Sequence, residues 1–292
     1  MKQLIRKVTP FLLVLPALIV VCIVMVYPLI YNFSLSFFQW NYVKHWEGMT
    51  FVGLGNYFEA LLSPEILYSL RITLVYAAAT LFIQFILGLG LALLFDVETL
   101  PGKYFFRASL LIPMMSSAVV IGFVWKAMLN PDFGIINYYF SQLGFGNRSF
   151  LGNPSLALYT VIAVGVWAGT PFCYLMLTAG LRGLPQEALE ASKLDGANTW
   201  QQLIYVKLPL LRPIIVVILI FQFIFVFGVF GMIYVLTAGG PASLTKVFSL
   251  LLYEIAFDRF ELGLGATLSV IYALIAFIFA ILFVVSVREE KS

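Results

Sequence analysis

Leu184-Pro-Gln-Glu-Ala-Leu-Glu-Ala-Ser-Lys-Leu-Asp-Gly-Ala-Asn-Thr-Trp200, continuing as Gln201-Gln-Leu-Ile-Tyr-Val-Lys-Leu-Pro209, is a polar stretch set between two long apolar runs. Nothing in lipid requires such a stretch, and its residues spell out two short helices broken at a glycine. Pro185 suits a first helical turn, and Glu187 and Glu190 lie near its positive N-terminal end. Ala188, Ala191 and Ser192 follow at i, i+3 and i+4, a small-residue face that another surface can approach closely. Gly196 is a helix stop. Thr199-Trp-Gln-Gln202 has the spacing of a capping box and starts a second helix, which runs to Leu208 and ends at Pro209.

The rest of the chain explains where this segment sits. Of its 292 residues 62% are hydrophobic and 11% charged, and the mean hydropathy is +1.01. A soluble domain carries roughly a quarter charged residues, so this chain is too apolar to cover its own surface in water. Six apolar runs, at about 10–31, 72–95, 108–126, 156–181, 212–236 and 264–287, are each long enough to cross a ~30 Å hydrocarbon layer as a helix. The alternating pattern of an outer-membrane barrel is absent. The expected class is an all-α membrane protein of six spans. The first run follows Lys2, Arg6 and Lys7 as a signal peptide does. It is too long for a signal core and lacks a small-x-small cleavage site, so it is read as a retained span.

Lysines and arginines orient the spans. Lys2, Arg6, Lys7, Lys103, Arg107, Arg182, Lys193, Lys207, Arg212, Arg288 and Lys291 fall on one side; Lys44, Arg71, Lys126, Arg148, Lys246 and Arg259 fall on the other or at span ends. The richer side is expected to be cytoplasmic, with both termini and the 184–209 segment. The net charge of +3 reflects that bias and does not argue for nucleic acid.

Cys22 and Cys173 fall inside runs, without metal-ligand spacing or a disulfide framework. His45 stands alone in the 37–69 loop, the longest external one, and reads as a solvated surface histidine; no metal is expected. Trp40, Trp46, Phe51, Tyr57 and Phe58 in that loop suggest packing at the membrane interface. Pro28, Pro113, Pro171, Gly165, Gly169 and Gly228 read as kinks and close helix packing, compatible with shaping a cavity. No charged residue falls mid-run, which disfavours proton relays and ion sites. A solute crossing here is expected to be neutral and driven by energy from elsewhere.

A pair of helices lying flat on lipid, with Leu194, Leu203, Ile204 and Val206 dipping in, is the plain alternative for 184–209. Against it, the polar face lacks lysines. The same residues carry a resemblance. Pro185-x-Glu-x-x-Glu190-Ala-Ser-x-x-Asp195-Gly196-Ala197, then Val206-x-Leu-Pro209, resembles the EAA motif of the permease subunits of sugar-type ABC importers. Ser192 stands where alanine is usual and Val206 where isoleucine is frequent. Phe106-Arg-Ala-Ser-Leu-Leu-Ile-Pro113 with Trp125 and Asn130-Pro-Asp-Phe-Gly134-Ile-Ile-Asn137 resembles the family's third span. Thr237-Ala-Gly-Gly-Pro241 with Thr245, Tyr253, Ala256 and Phe257 is similar to the region after its fifth.

The resemblance covers about 70–290. It implies an N-terminal helix and external loop over 1–69 and a permease core over 70–288. It further implies two permease subunits, most commonly different ones, two cytoplasmic ATPases, an extracellular or periplasmic solute-binding protein, and a bacterial or archaeal cytoplasmic membrane. Coupling to the ATPase falls on Glu187, Glu190, Ala191, Ser192, Asp195 and Gly196, with Glu190 pairing a basic residue of the ATPase. Solute contacts fall on Gly165, Ala168, Gly169 and Phe172 in the fourth run and on Gln222, Phe225, Val226 and Val229 in the fifth. Phe172, Val226 and Val229 replace a tyrosine and asparagines of maltose-type relatives, leaving few polar groups. Bundle packing for Phe225 and an interhelical hydrogen bond for Gln222 are the alternatives.

No GxxxxGK[ST] loop is present, so ATP and magnesium belong to the partner and this chain binds no cofactor. A neutral mono- or oligosaccharide is the expected solute; glycerol phosphate or another polyol derivative is the second choice. An autonomous carrier is disfavoured by the uncharged spans, and a membrane enzyme by the lack of a catalytic cluster.

Overall fold

The computed structural model describes residues 14–43, 48–96 and 102–288, with side chains to 285. Lys2, Arg6, Lys7, Lys44, His45, Trp46, the Arg288 side chain and Lys291 lie outside that set. Among the described residues five helices are long and apolar enough to cross a membrane: Val14–Leu35, Pro64–Asp96, Ala157–Arg182, Thr199–Leu236 and Leu262–Val285. A bent pair, Lys103–Met115 with Ala118–Met128, makes six if counted as one span.

That pair corrects the continuous span expected over 108–126. Its halves meet at 108° because Ser116 and Ser117 adopt extended backbone, and the Ser117 hydroxyl accepts from Val120 N–H to cap the second half. A cap supplied by the chain itself lets a helix stop and restart without stranding a donor. The second span also starts earlier than expected, at Pro64.

Compactness divides the chain into two units. The first comprises residues to Leu67 together with Leu252–Leu274. In its loop region Phe51 and Phe58 are exposed, whereas Ser36, Asn41 and Asn56 are buried. A two-stranded antiparallel ribbon pairs Phe38 with Phe51 and Gln39 with Thr50. Asn56 Nδ2 donates to the Ser36 and Phe38 carbonyls, and Thr267 donates to the same Ser36 carbonyl. Arg259 grips Glu65 through both terminal nitrogens, at 3.0 and 2.6 Å, and Glu254 at 2.7 Å.

The second unit, Tyr68–Leu251 with residues from Ile275, holds two apolar clusters. Tyr76, Val161, Ile233 and Leu236 centre one, and Ala92, Leu177, Leu211 and Ile218 the other. Between helices in lipid, packing depends on small residues that let backbones approach. Gly88 supplies such a place: a Cβ there would stand 2.5 Å from the Cys173 Cβ. Gly88→Ala is therefore expected to cost about 1–3 kcal/mol through overpacking, seen as a lower thermal unfolding midpoint in detergent.

A central cavity and a polar helix pair

Two sites in the second unit gather the functional residues expected from the sequence. The first is a cavity of about 420 Å³. Its walls come from the Pro64–Asp96, Ala157–Arg182 and Leu208–Phe227 helices and from both sides of the Ser116–Ser117 break. All eight residues of the expected solute set line it: Gly165, Ala168, Gly169 and Phe172 from one helix, and Gln222, Phe225, Val226 and Val229 from or just beyond another. None of the described lining residues is charged.

Their roles differ more than the sequence suggested. Gly165 and Gly169 lie beneath other side chains. A Cβ at Gly165 would collide with the Tyr76 hydroxyl, and one at Gly169 with Gln84 Nε2. These glycines clear room for side chains of the neighbouring helix. Val226 is buried, whereas Phe225 is 67% exposed, so packing within this chain does not account for Phe225. Phe172 sits 6.2 Å from Phe221, centroid to centroid. Gln222 does make an interhelical bond, donating to the Gly169 carbonyl at 2.8 Å, while also lining the cavity.

Tyr76, Gln84, Met114, Ser116 and Met232 share the lining and were missed. Gln84 had a legible signal, a carboxamide in the middle of an apolar run. The others needed the bend at Ser116 and the packing of helices distant in sequence.

The second site is the segment from Leu184 to Pro209. A helix runs Gln186–Leu194 with Pro185 as its N-cap, one position before the first turn that the sequence suggested. It closes in a Schellman arrangement: Gly196 N–H donates to Lys193 O at 3.1 Å and Ala197 N–H to Ser192 O at 3.0 Å. Gly196 has φ +80°, a left-handed value at which glycine pays no Cβ penalty.

The capping box forms one residue earlier than expected. Asn198, not Thr199, is the N-cap, and it exchanges hydrogen bonds with Gln201 rather than Gln202. Asparagine is the stronger cap, and Gln202 instead donates to the Ala197 carbonyl. Nor does Pro209 end the helix. A π turn at Leu203–Lys207 leads directly into Leu208–Phe227. Leu208 N–H reaches back five residues to Leu203 O, and Pro209 falls in the first turn of the new stretch, where a missing N–H costs least. From Thr199 onward the polar segment and the following span are thus one helical piece.

The expected small-residue face is split. Glu187, Glu190, Ala191, Asp195 and Gly196 are exposed, Ala188 is half-buried, and Ser192 is 8% exposed with its hydroxyl donating to Leu189 O. Ser192 therefore packs against its own chain. In its place the outer surface shows Leu194, 89% exposed, and Trp200, 72% exposed. Leu203, one residue of the flat-on-lipid alternative, is buried.

The chain is 38% identical over 278 residues to a trehalose transport system permease of Mycobacterium tuberculosis, covering 94% of this chain and 88% of that one. It is 34% identical over 273 residues to a trehalose/maltose transport system permease of Thermococcus litoralis, covering 94% and 91%. The chain belongs to the ABC transporter permeases. No protein-family model matches it. In fold it is similar to a chain of a bacterial ABC transporter involved in alginate import, with a TM-score of 0.85 and 20% identity over 100% of this chain and 99% of that one. This ABC transporter permease is an integral membrane protein and a non-catalytic transport subunit; its family leaves ATP hydrolysis to a separate subunit.

Proposed function

We propose that this permease is the pore-forming subunit of an ATP-driven importer for an uncharged mono- or oligosaccharide. The observation that carries the reading is the cavity, with phenylalanine faces, two carboxamides and no charged lining residue. Aromatic faces and neutral hydrogen-bonding groups suit a polyhydroxyl ring. An acidic polysaccharide or a phosphate ester gains no counter-charge here. A volume of about 420 Å³ falls within the range for small-molecule sites, roughly 300–1,000 Å³. The trehalose and maltose systems named for two relatives agree with this choice.

On this reading a second permease completes the pore and two ATPase subunits receive the 184–209 segments on the cytoplasmic side, where both termini lie. A binding protein delivers solute from outside. ATP shifts the assembly between two states by binding one more tightly. Glu187, Glu190, Ala191, Asp195 and Gly196 meet the ATPase directly, and Ser192 holds their helix in place.

The test is reconstitution of the complete complex in lipid nanodiscs with its binding protein. ATP hydrolysis is followed with trehalose, maltose, glycerol 3-phosphate and an alginate oligosaccharide. Stimulation by a neutral saccharide is expected. Stimulation by the charged solutes alone, or solute uptake by this chain in vesicles without its partners, contradicts the reading.

A further inference from the structure

Gln84 lies in the middle of the Pro64–Asp96 helix and is 1% exposed; Gln222 lies across from it and is 3% exposed. A carboxamide carries two N–H donors and one acceptor oxygen, and leaving these unpaired away from water is costly. Gln84 Nε2 donates to the Gly165 carbonyl at 2.9 Å. Gln84 Oε1 accepts from Gln222 Nε2 at 3.2 Å, and the same Gln222 nitrogen donates to the Gly169 carbonyl at 2.8 Å. The Cys173 thiol, at 3.4 Å, is a weaker third neighbour of that nitrogen.

The polarity of this chain of bonds is fixed at its ends. Backbone carbonyls only accept, so both amide nitrogens must face the Ala157–Arg182 helix. Turning either amide over would set oxygen against oxygen. With its two N–H groups engaged by Gln84 and Gly169, Gln222 has only Oε1 left. That oxygen receives no hydrogen bond from any described residue, and Gln222 lines the cavity. Gly169 makes the arrangement sterically possible, since a Cβ there would collide with Gln84 Nε2 and come within 3.0 Å of Gln222 Nε2.

We propose that Gln84 is a positioning residue that locks the Gln222 carboxamide with its oxygen offered to the cavity, so that the site selects a solute carrying a hydrogen-bond donor, a hydroxyl, at that point. The proposal rests on the reading that the cavity is the solute path. An unlocked amide could offer either end and would discriminate poorly between donor and acceptor groups. A locked one rejects a solute that cannot donate, because its own oxygen is then left unpaired.

Two measurements on the complete complex in nanodiscs test this. Side-chain amide exchange, read by NMR after ¹⁵N-glutamine labelling, follows the lock without any solute. Both Gln222 protons are expected to be protected, with exchange of at least one speeding up more than tenfold in Gln84→Leu. The second measurement is the half-saturating concentration of trehalose and of maltose for stimulated ATP hydrolysis, against their monodeoxyfluoro analogues, which keep size but cannot donate. The wild type is expected to lose about tenfold at one hydroxyl position. That discrimination, read as the ratio of the two half-saturating concentrations, should shrink to within about twofold in Gln84→Leu. Gln84→Leu should add nothing in a Gln222→Leu background.

Gln84→Glu is the conservative companion. Protonated, it can donate to Gly165 and accept from Gln222, so discrimination should return at low pH and fade as the carboxyl ionises. A merely structural role would instead affect parent and analogue alike and leave their ratio unchanged. Unchanged Gln222 exchange in Gln84→Leu, or full discrimination surviving in it, overturns the proposal. If neither saccharide stimulates the wild type, the carbohydrate reading fails separately, and the exchange rates still decide the lock.

Discussion

Glu190→Lys leaves the permease folded and inserted but removes solute-stimulated ATP hydrolysis from the reconstituted complex. Glu190 lies on the exposed face of the Gln186–Leu194 helix, and its side chain makes no hydrogen bond or ion pair to any other described residue. Replacing it therefore costs the isolated subunit little, within about 0.5 kcal/mol for an exposed position. The proposed contact with a basic group of the ATPase behaves differently. Removing one partner of an interfacial charge pair costs roughly 2–5 kcal/mol, and reversing the charge adds repulsion. At the lower figure the stimulated rate falls by more than tenfold, and at the upper by more than a thousandfold. Thermal unfolding of the purified subunit and the stimulated ATPase rate should thus separate cleanly. A variant that is still stimulated normally assigns coupling to some other surface.

Gly196→Pro attacks the same site through the backbone. The residue holds φ +80° and its N–H donates to Lys193 O. Proline fixes φ near −65° and has no N–H. The variant loses both features of the Schellman closure, a local cost of about 3 kcal/mol. The turn between Leu194 and Asn198 must then change course, which moves Glu190 and Trp200 relative to each other. Coupling is expected to fall as far as in Glu190→Lys, with membrane insertion unchanged. Gly196→Ala is the graded control. It keeps the N–H, its Cβ meets open space in the isolated chain, and the left-handed conformation costs about 1–2 kcal/mol. Coupling in Gly196→Ala should stay well above that in Gly196→Pro; equal loss in the two contradicts a backbone explanation.

What the sequence revealed and what it hid follow from the kind of signal involved. Hydrophobic runs located the membrane helices because lipid demands length and apolarity, both properties of composition. The stop at Gly196 was legible because a left-handed turn favours one residue type. The break at Ser116–Ser117 was not, since two serines barely lower the hydropathy of their surroundings and their capping depends on backbone course. Pro209 misled for a related reason: the π turn before it shifts the hydrogen-bond register, and a sequence does not display register. Asn198 and Thr199 are adjacent residues able to cap, so spacing alone could not rank them.

Helical spacing also placed Ser192 beside Ala188 and Ala191 correctly, but it gives separation around the axis and not which side meets the protein. Ser192 turned out to face inward. In the cavity, the residues aligned through the resemblance do converge on one space. Gln84, the residue that orders it, went unnoticed as one carboxamide in a 33-residue, mostly apolar helix. Its partners are a glycine carbonyl 81 residues away and a glutamine 138 residues away, distances at which local pattern carries no information.

The central claim is that the Leu184–Pro209 segment is the handle by which an ATPase drives this permease. Placing the photo-crosslinking residue p-benzoylphenylalanine at position 191, beside Glu190 on the exposed face, tests it directly in membranes that contain the whole complex. The account predicts an adduct with the mass of permease plus ATPase, formed in the native complex and lost with Gly196→Pro. An adduct with lipid or the second permease alone, with the ATPase present and active, would contradict it.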